Sequence, residues 1–178
     1  MSSYCDSAPG HPFHGPYHEA EYGFPAYGEN TLFERLVMEI NQAGLSWLTI
    51  LKKKKNFHDA FDGFDIATVA AYDEVEVKRL LSDAGIIRNR LKVAAAIENA
   101  RRIQGLQASH GGFKGWLDAH HPLDKPAWVK LFKQTFKFTG GEITGEFLMS
   151  TGYLPGAHDA DCPVAAEIAA LEPPRMTV

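Results

Sequence analysis

Two cysteines are all this chain has, and they stand at opposite ends of it, each with a histidine in reach. Cys5 is followed by His18, and His158 precedes Cys162 as His-x₃-Cys. Two thiolates and two imidazoles suit a tetrahedral structural zinc, whose binding free energy adds directly to folding. The His-x₃-Cys pair can place both ligands on one turn of chain. Cys5 and His18 are further apart, and the fold has to bring them there. If the four meet, the metal ties the two termini together. Spacing alone leaves two other arrangements open, a Cys5–Cys162 disulfide and two unrelated free thiols.

At 178 residues the expectation is one domain over residues 1–165, built as two small lobes around a groove, with 166–178 as a tail. No apolar run of about eighteen residues exists, so a membrane span is not expected. Met1 to Asp6 lacks the basic and apolar regions of a signal peptide. With so few cysteines, that favours a reducing cytoplasm. A net charge of −4 does not advertise a nucleic-acid binder, but phosphate contact depends on where the positive charges sit.

Residues 1–30 are rich in Gly, Pro, His and Tyr and read as an irregular arm. The rest reads as helix. Asn30 or Thr31 can cap the first, with Glu34 completing a capping box and Leu32, Phe33, Leu36, Val37 and Ile40 as its apolar face. Gly44 ends it, and Ser46 caps a helix running from Trp47 to Lys55. Another is expected from Asp73 to Ala84, stopped by Gly85, and a long alanine-rich one from Asn89 to Ala108. Shorter helices are expected at 112–120, 126–135 and 143–151, and the tail after Cys162 is expected to fray. Alternating β-branched patterns are scarce, so the fold class is all-α.

Glu39 is the most informative carboxylate. At about 100° per residue it falls beside Leu32 and Leu36, at the edge of the apolar stripe. It either faces a cleft or is a boundary glutamate paired with a lysine. Tyr17, Tyr22 and Trp47 are core aromatics or a stacking platform for a planar ligand. Asp83-Ala84-Gly85-Ile86-Ile87-Arg88 joins two helices. It is either a plain turn or a hairpin whose backbone N–H groups hold a DNA phosphate, with Arg88, Arg90 and Lys92 adding charge. Lys130, Lys133 and Lys137 form a modest basic strip.

These pieces fall in the order seen in bacterial type I 3-methyladenine DNA glycosylases, which the chain resembles over roughly residues 4 to 162. The most specific stretches are Gln42-Ala43-Gly44-Leu45-Ser46-Trp47 with Leu51-Lys52-Lys53-Lys54, then Asp83 to Arg88 with Arg90 and Lys92, then Phe136-Lys137-Phe138. The resemblance implies the helix-hairpin-helix glycosylase fold, with a structural Zn²⁺ on Cys5, His18, His158 and Cys162 joining the N- and C-terminal segments. It implies that Glu39 contacts the base, that Tyr17 and Trp47 are pocket aromatics, and that Tyr22 stands where a tryptophan is usual. Glu21 matches an acidic position before it, and His14 replaces a pocket tyrosine. DNA contacts would fall on Gly85, Ile86, Arg88, Arg90 and Lys92.

The implied reaction is monofunctional hydrolysis of the N-glycosidic bond of 3-methyladenine in double-stranded DNA during base excision repair, by a monomer that releases the free base. The nucleotide must be flipped into the pocket. A 3-methylated adenine is cationic while bound to its sugar and already leaves well, so a carboxylate and aromatic faces that favour its charge are useful. The wider superfamily uses a catalytic Asp or Lys after the hairpin. No equivalent stands here, and the group that activates water is unassigned. The chain departs from the family at Ser7, His14, Ile40, Asn41, Glu142 and Gly145. Those departures motivate a second reading: a diverged glycosylase fold with altered lesion specificity or no excision, acting as a DNA- or nucleobase-binding module.

Overall fold

The structure, a computed structural model, describes residues 2–177. It contains eleven α-helices and no strand among those residues. Two short helices, α1 (Tyr4–Ser7) and α2 (His14–Ala20), lie where an irregular arm was expected. Ser3 caps α1 by accepting from the Asp6 N–H, while the Asp6 carboxylate accepts from Ser3 N–H. Each helix is too short for its periodicity to show in the sequence.

Helix α3 (Glu29–Gln42) runs through the core and buries Leu32, Phe33, Leu36, Val37 and Ile40. Its start differs from the expectation: Gly28 precedes it with no side-chain cap, and no Thr31–Glu34 box forms. The local groups are engaged elsewhere. Asn30 accepts from Ile66 N–H, and Glu34 faces His58 Nδ1 at 3.5 Å. Glu29 accepts from the Phe113 and Lys114 N–H groups at 2.7 and 3.0 Å, satisfying the open N-terminus of another helix.

Gly44, at φ +79, makes the turn into α4 (Trp47–Ala60), whose cap Ser46 accepts from Thr49 N–H. A 3₁₀ turn (Asp62–Phe64) and α5 (Ile66–Ala70) follow, neither marked in the sequence reading. Then come α6 (Glu74–Leu81) and α7 (Arg90–His110), capped by Asp73 and Asn89. The expected helices at 112–120, 126–135 and 143–151 are α8 (Phe113–His120), α9 (Lys125–Thr135) and α10 (Gly141–Ser150). Helix α10 packs on both α3 and α9, and α7 packs on α5 and α8.

One apolar cluster joins these helices, from Phe33 and Phe57 to Trp116 and Trp128. A second, smaller one holds Cys162, Val164 and Ile168 against Cys5 and Phe24. The tail does not fray after Cys162. Pro163–Ala170 forms α11, with Ile168 buried, and a 3₁₀ turn (Pro174–Met176) returns to the body, where Arg175 N–H donates to the Gly152 carbonyl. Apolar burial supplies the reason: Val164, Ile168 and Pro173 are covered.

Candidate base pocket and metal centre

The two ends of the chain meet. Donor atoms of Cys5, His18, His158 and Cys162 all lie within 4.8 Å of one another. Cys5 Sγ is 3.6 Å from His158 Nδ1; Cys162 Sγ is 3.7 Å from both His158 Nδ1 and His18 Nε2. Tetrahedral zinc with ordinary Zn–S and Zn–N bonds sets sulfur and nitrogen about 3.6 Å apart. The Nε2 of His158 lies 2.6 Å from the Tyr22 carbonyl, which turns Nδ1 toward the sulfurs. The Asp159 N–H donates to Cys5 Sγ. Both cysteines are free, so the disulfide arrangement is set aside. The donor set fits a metal ion with four protein ligands.

Next to this cluster is a cleft of about 230 Å³ lined by Tyr4, Tyr17, Tyr22, Glu39, Gln42, Trp47 and Glu146. Helix α3 brings Glu39 and Gln42; α2 and the turn after it bring Tyr17 and Tyr22; the first residue of α4 is Trp47. Tyr17 stacks on Tyr22 with ring centroids 5.5 Å apart and tilts against Trp47 at 5.2 Å. Tyr4 meets Tyr22 edge-on.

Glu39 is only 4% exposed, yet no hydrogen-bond donor reaches its carboxyl among the described residues. The lysine that a boundary glutamate would pair with is absent there. Burial, reinforced by the neighbouring Glu146 carboxylate and opposed by Arg35, raises its pKa from 4.5 to about 8. The indole Nε1–H of Trp47 is also buried without a partner.

Two residues expected at the base stand behind the cleft. Glu21 accepts from Arg35 at 3.1 Å and from Lys54. Burial works against its charge, but those two cations hold its carboxyl below the usual range. Arg35 also donates to the Glu21 and Ser150 carbonyls and lies 5.4 Å over the Tyr17 ring. His14 reaches the cleft only through Tyr4, whose hydroxyl is 3.0 Å from its Nδ1. Tyr4 and Glu146 line the cleft without having been singled out in the sequence, and Gln42 stood out there only as part of a family stretch. For Glu146 one signal was available: like Glu39, it is a carboxylate beside an apolar run, Phe147-Leu148.

The departures from the family spread widely. Ile40 is buried in the core, Ser7 is exposed and donates to the Ser3 carbonyl, and Asn41 donates to the Val37 carbonyl. Gly145 faces Lys125, whose Cε would be 2.8 Å from an added Cβ.

At the hairpin, Gly85 N–H donates to Asp83 Oδ1 at 2.8 Å, and Ile86 is buried. An added Cβ at Gly85 would crowd Asp83 and Asn56. Arg88 and Arg90 are exposed. Lys92 is buried, and its ammonium donates to the Asn41 and Ala43 carbonyls at 2.8 and 2.7 Å.

The sequence profile of the methyladenine glycosylase family matches residues 7–127. The chain belongs to that family. Its relatives include DNA-3-methyladenine glycosylase 1 of Escherichia coli (strain K12), 35% identical over 85% of this chain and 90% of that protein. Among solved structures, 3-methyladenine DNA glycosylase I from Staphylococcus aureus is similar with a TM-score of 0.81 and 30% identity, covering 92% of this chain and 96% of that one. A substituted 3-methyladenine DNA glycosylase I in complex with 3-methyladenine is similar with a TM-score of 0.80 and 29% identity, over 90% and 96% of the two chains. The all-helical glycosylase fold expected from the sequence is thus the fold observed. No helix is long and apolar enough to cross a membrane among the described residues.

Proposed function

We propose that this chain is a DNA-3-methyladenine glycosylase whose Glu39 cleft receives the methylated base flipped out of double-stranded DNA. The observation that carries the reading is the carboxyl of the nearly buried Glu39, which lines an aromatic cleft without a protein donor. A carboxyl that lines the cleft and has no protein donor is left to accept from whatever occupies it. A base edge carrying amino hydrogens supplies the donors. The cationic state of 3-methyladenine on its sugar suits the Tyr17, Tyr22 and Trp47 faces. As that cation enters, its charge favours the ionised Glu39, and loss of the base as a neutral molecule relaxes the pair.

Within this reading the metal is zinc, held by Cys5, His18, His158 and Cys162, with no ligand position left for substrate. When bound it supplies cross-linking of the two ends and no chemistry at the base. The free thiols suit a reducing, cytoplasmic setting. The hairpin at Gly85 and Ile86, with Arg88 and Arg90, supplies the phosphate contacts, and the chain works as one monomeric domain that includes α11.

Base release from methylated duplex DNA, with products identified by chromatography, tests the reading. The expected result is free 3-methyladenine from the wild-type protein and loss of release in Glu39→Gln. Folded, metal-loaded protein that frees no base overturns it.

A further inference from the structure

Glu146 occupies a place that Glu39 does not. It lines the base cleft, and it also lines an open groove beside it formed by Gln42, Gly44, Leu45, Gly140 and Ile143. Among the described residues it is the only carboxylate common to both. Burial orders the two acids: Glu39 is almost wholly buried, and Glu146 is half-buried where the cleft joins the open groove. A flipped nucleotide enters with its base inward and its sugar still joined to the strand outside. The bond between base and sugar then falls between cleft and groove, the two spaces that Glu146 borders. That side chain is oriented by the Tyr22 hydroxyl, which donates to its Oε2 at 3.4 Å.

We propose that Glu146 is the general base of this chain, holding and deprotonating the water that attacks C1′ of the flipped nucleotide. This rests on the glycosylase reading above. The water oxygen bonds to C1′, the C1′–N9 bond breaks, and its electron pair neutralises the cationic base, which leaves as 3-methyladenine. The water proton passes to the Glu146 carboxylate, and the sugar keeps the hydroxyl. No other reactant is needed.

The surroundings suit the division of roles. Two carboxyls whose environments differ can take different protonation states at one pH. The pKa of Glu146 is raised, by burial above all and by Glu142 on the same helix, while the Tyr22 hydroxyl and Lys125 of α9 offset part of that rise. Glu39 of α3 faces it across the cleft, where Tyr4 of α1 also stands. Both carboxyls are shifted upward, and Glu39, the more deeply buried, the more strongly, so ionisation is easier at Glu146 than at Glu39.

Single-turnover release of 3-methyladenine from duplex DNA, measured across pH, tests the assignment in Glu146→Gln and Glu146→Ala. Positioned proton transfer is worth about 10²-fold or more, so both variants should lose at least that in rate. Binding of free 3-methyladenine, followed by tyrosine and tryptophan fluorescence, should change far less than the rate does, because Glu146 borders the base without being its main acceptor. The acidic limb of the wild-type pH profile should vanish in Glu146→Gln, and added formate should restore release in Glu146→Ala. Wild-type rates in Glu146→Gln, or a loss of rate matched by an equal loss of base affinity, overturn the assignment. Wild-type protein that releases no base overturns the glycosylase reading itself, and the assignment with it.

Discussion

The Nε2 of His158 lies 2.6 Å from the backbone carbonyl of Tyr22. One imidazole thus belongs to the Cys5–His18–His158–Cys162 cluster and holds a wall of the base cleft, where the Tyr22 ring stacks on Tyr17. The cluster therefore does more than close the chain: it fixes the strip of backbone from which the aromatic faces project.

Removing the metal should loosen both. Chelation, or Cys162→Ser, should lower the thermal midpoint by roughly 6–12 °C, which for a chain of this size corresponds to about 3 kcal/mol. Affinity for free 3-methyladenine should fall in parallel, because Tyr22 loses its anchor. Calorimetry with and without chelator checks the first expectation, and a base titration on the same samples checks the second. An unchanged midpoint would show that the cluster carries no structural metal.

Glu39 makes stability depend on pH. Its folded pKa of about 8 lies above the ordinary 4.5, so between those values the folded chain holds a proton that the unfolded chain has lost. Stability from this group is full below about pH 4.5 and declines as pH rises through 8. Glu39→Gln removes the dependence. The variant should match wild type at pH 5 and exceed it at pH 9 by on the order of 4 kcal/mol, as the size of the shift sets. Urea titrations at the two pH values measure the gap, and a gap that does not widen with pH contradicts the buried acid.

Arg35 is buried, and it donates to Glu21 and to the carbonyls of Glu21 and Ser150. Arg35→Met takes one charged donor from each of these acceptors, leaving the Glu21 carboxylate with Lys54 and the Glu21 and Ser150 carbonyls with the Phe24 and Gly23 N–H groups, and should cost about 3 kcal/mol. Glu21→Gln should cost less, because Lys54 and the carbonyl contacts remain. The double variant should fall short of the sum of the two, since both changes break one network. Chemical denaturation of the three variants gives the coupling directly; strict additivity would count against a shared network.

How far the sequence led varies with distance along the chain. Helix starts with a local cap, at Ser46, Asp73 and Asn89, were readable because cap and helix are neighbours. The start of α3 was not, because Glu29 is engaged with Phe113 and Lys114 on a helix far along the chain. The same holds for the cleft. Glu39 betrayed itself by its place on the α3 stripe, but Tyr4 and Glu146 join it only because α1 and α10 converge there. Their spacing in sequence carries no trace of that convergence. The four metal donors were legible as residue types, and it took the fold to show that they meet.

Lys92 and Arg88 look alike in the sequence, two cations beside one hairpin, and the structure separates them. The Lys92 ammonium, desolvated by burial, is spent on the carbonyls of Asn41 and Ala43 that end α3. Arg88 is exposed and has no ion-pair partner among the described residues. Lys92→Met should therefore cost about 2–3 kcal/mol of stability, the worth of charged hydrogen bonds, through a loosened turn at Gly44. It should leave the salt dependence of DNA binding alone. Arg88→Ala should do the reverse, with stability unchanged to within about 0.5 kcal/mol and the salt slope reduced by about one. Binding measured over a series of salt concentrations, beside denaturation of each variant, decides the matter. If Lys92→Met flattens the salt slope while Arg88→Ala does not, the hairpin faces DNA through the other side, and the phosphate path assigned to it is wrong.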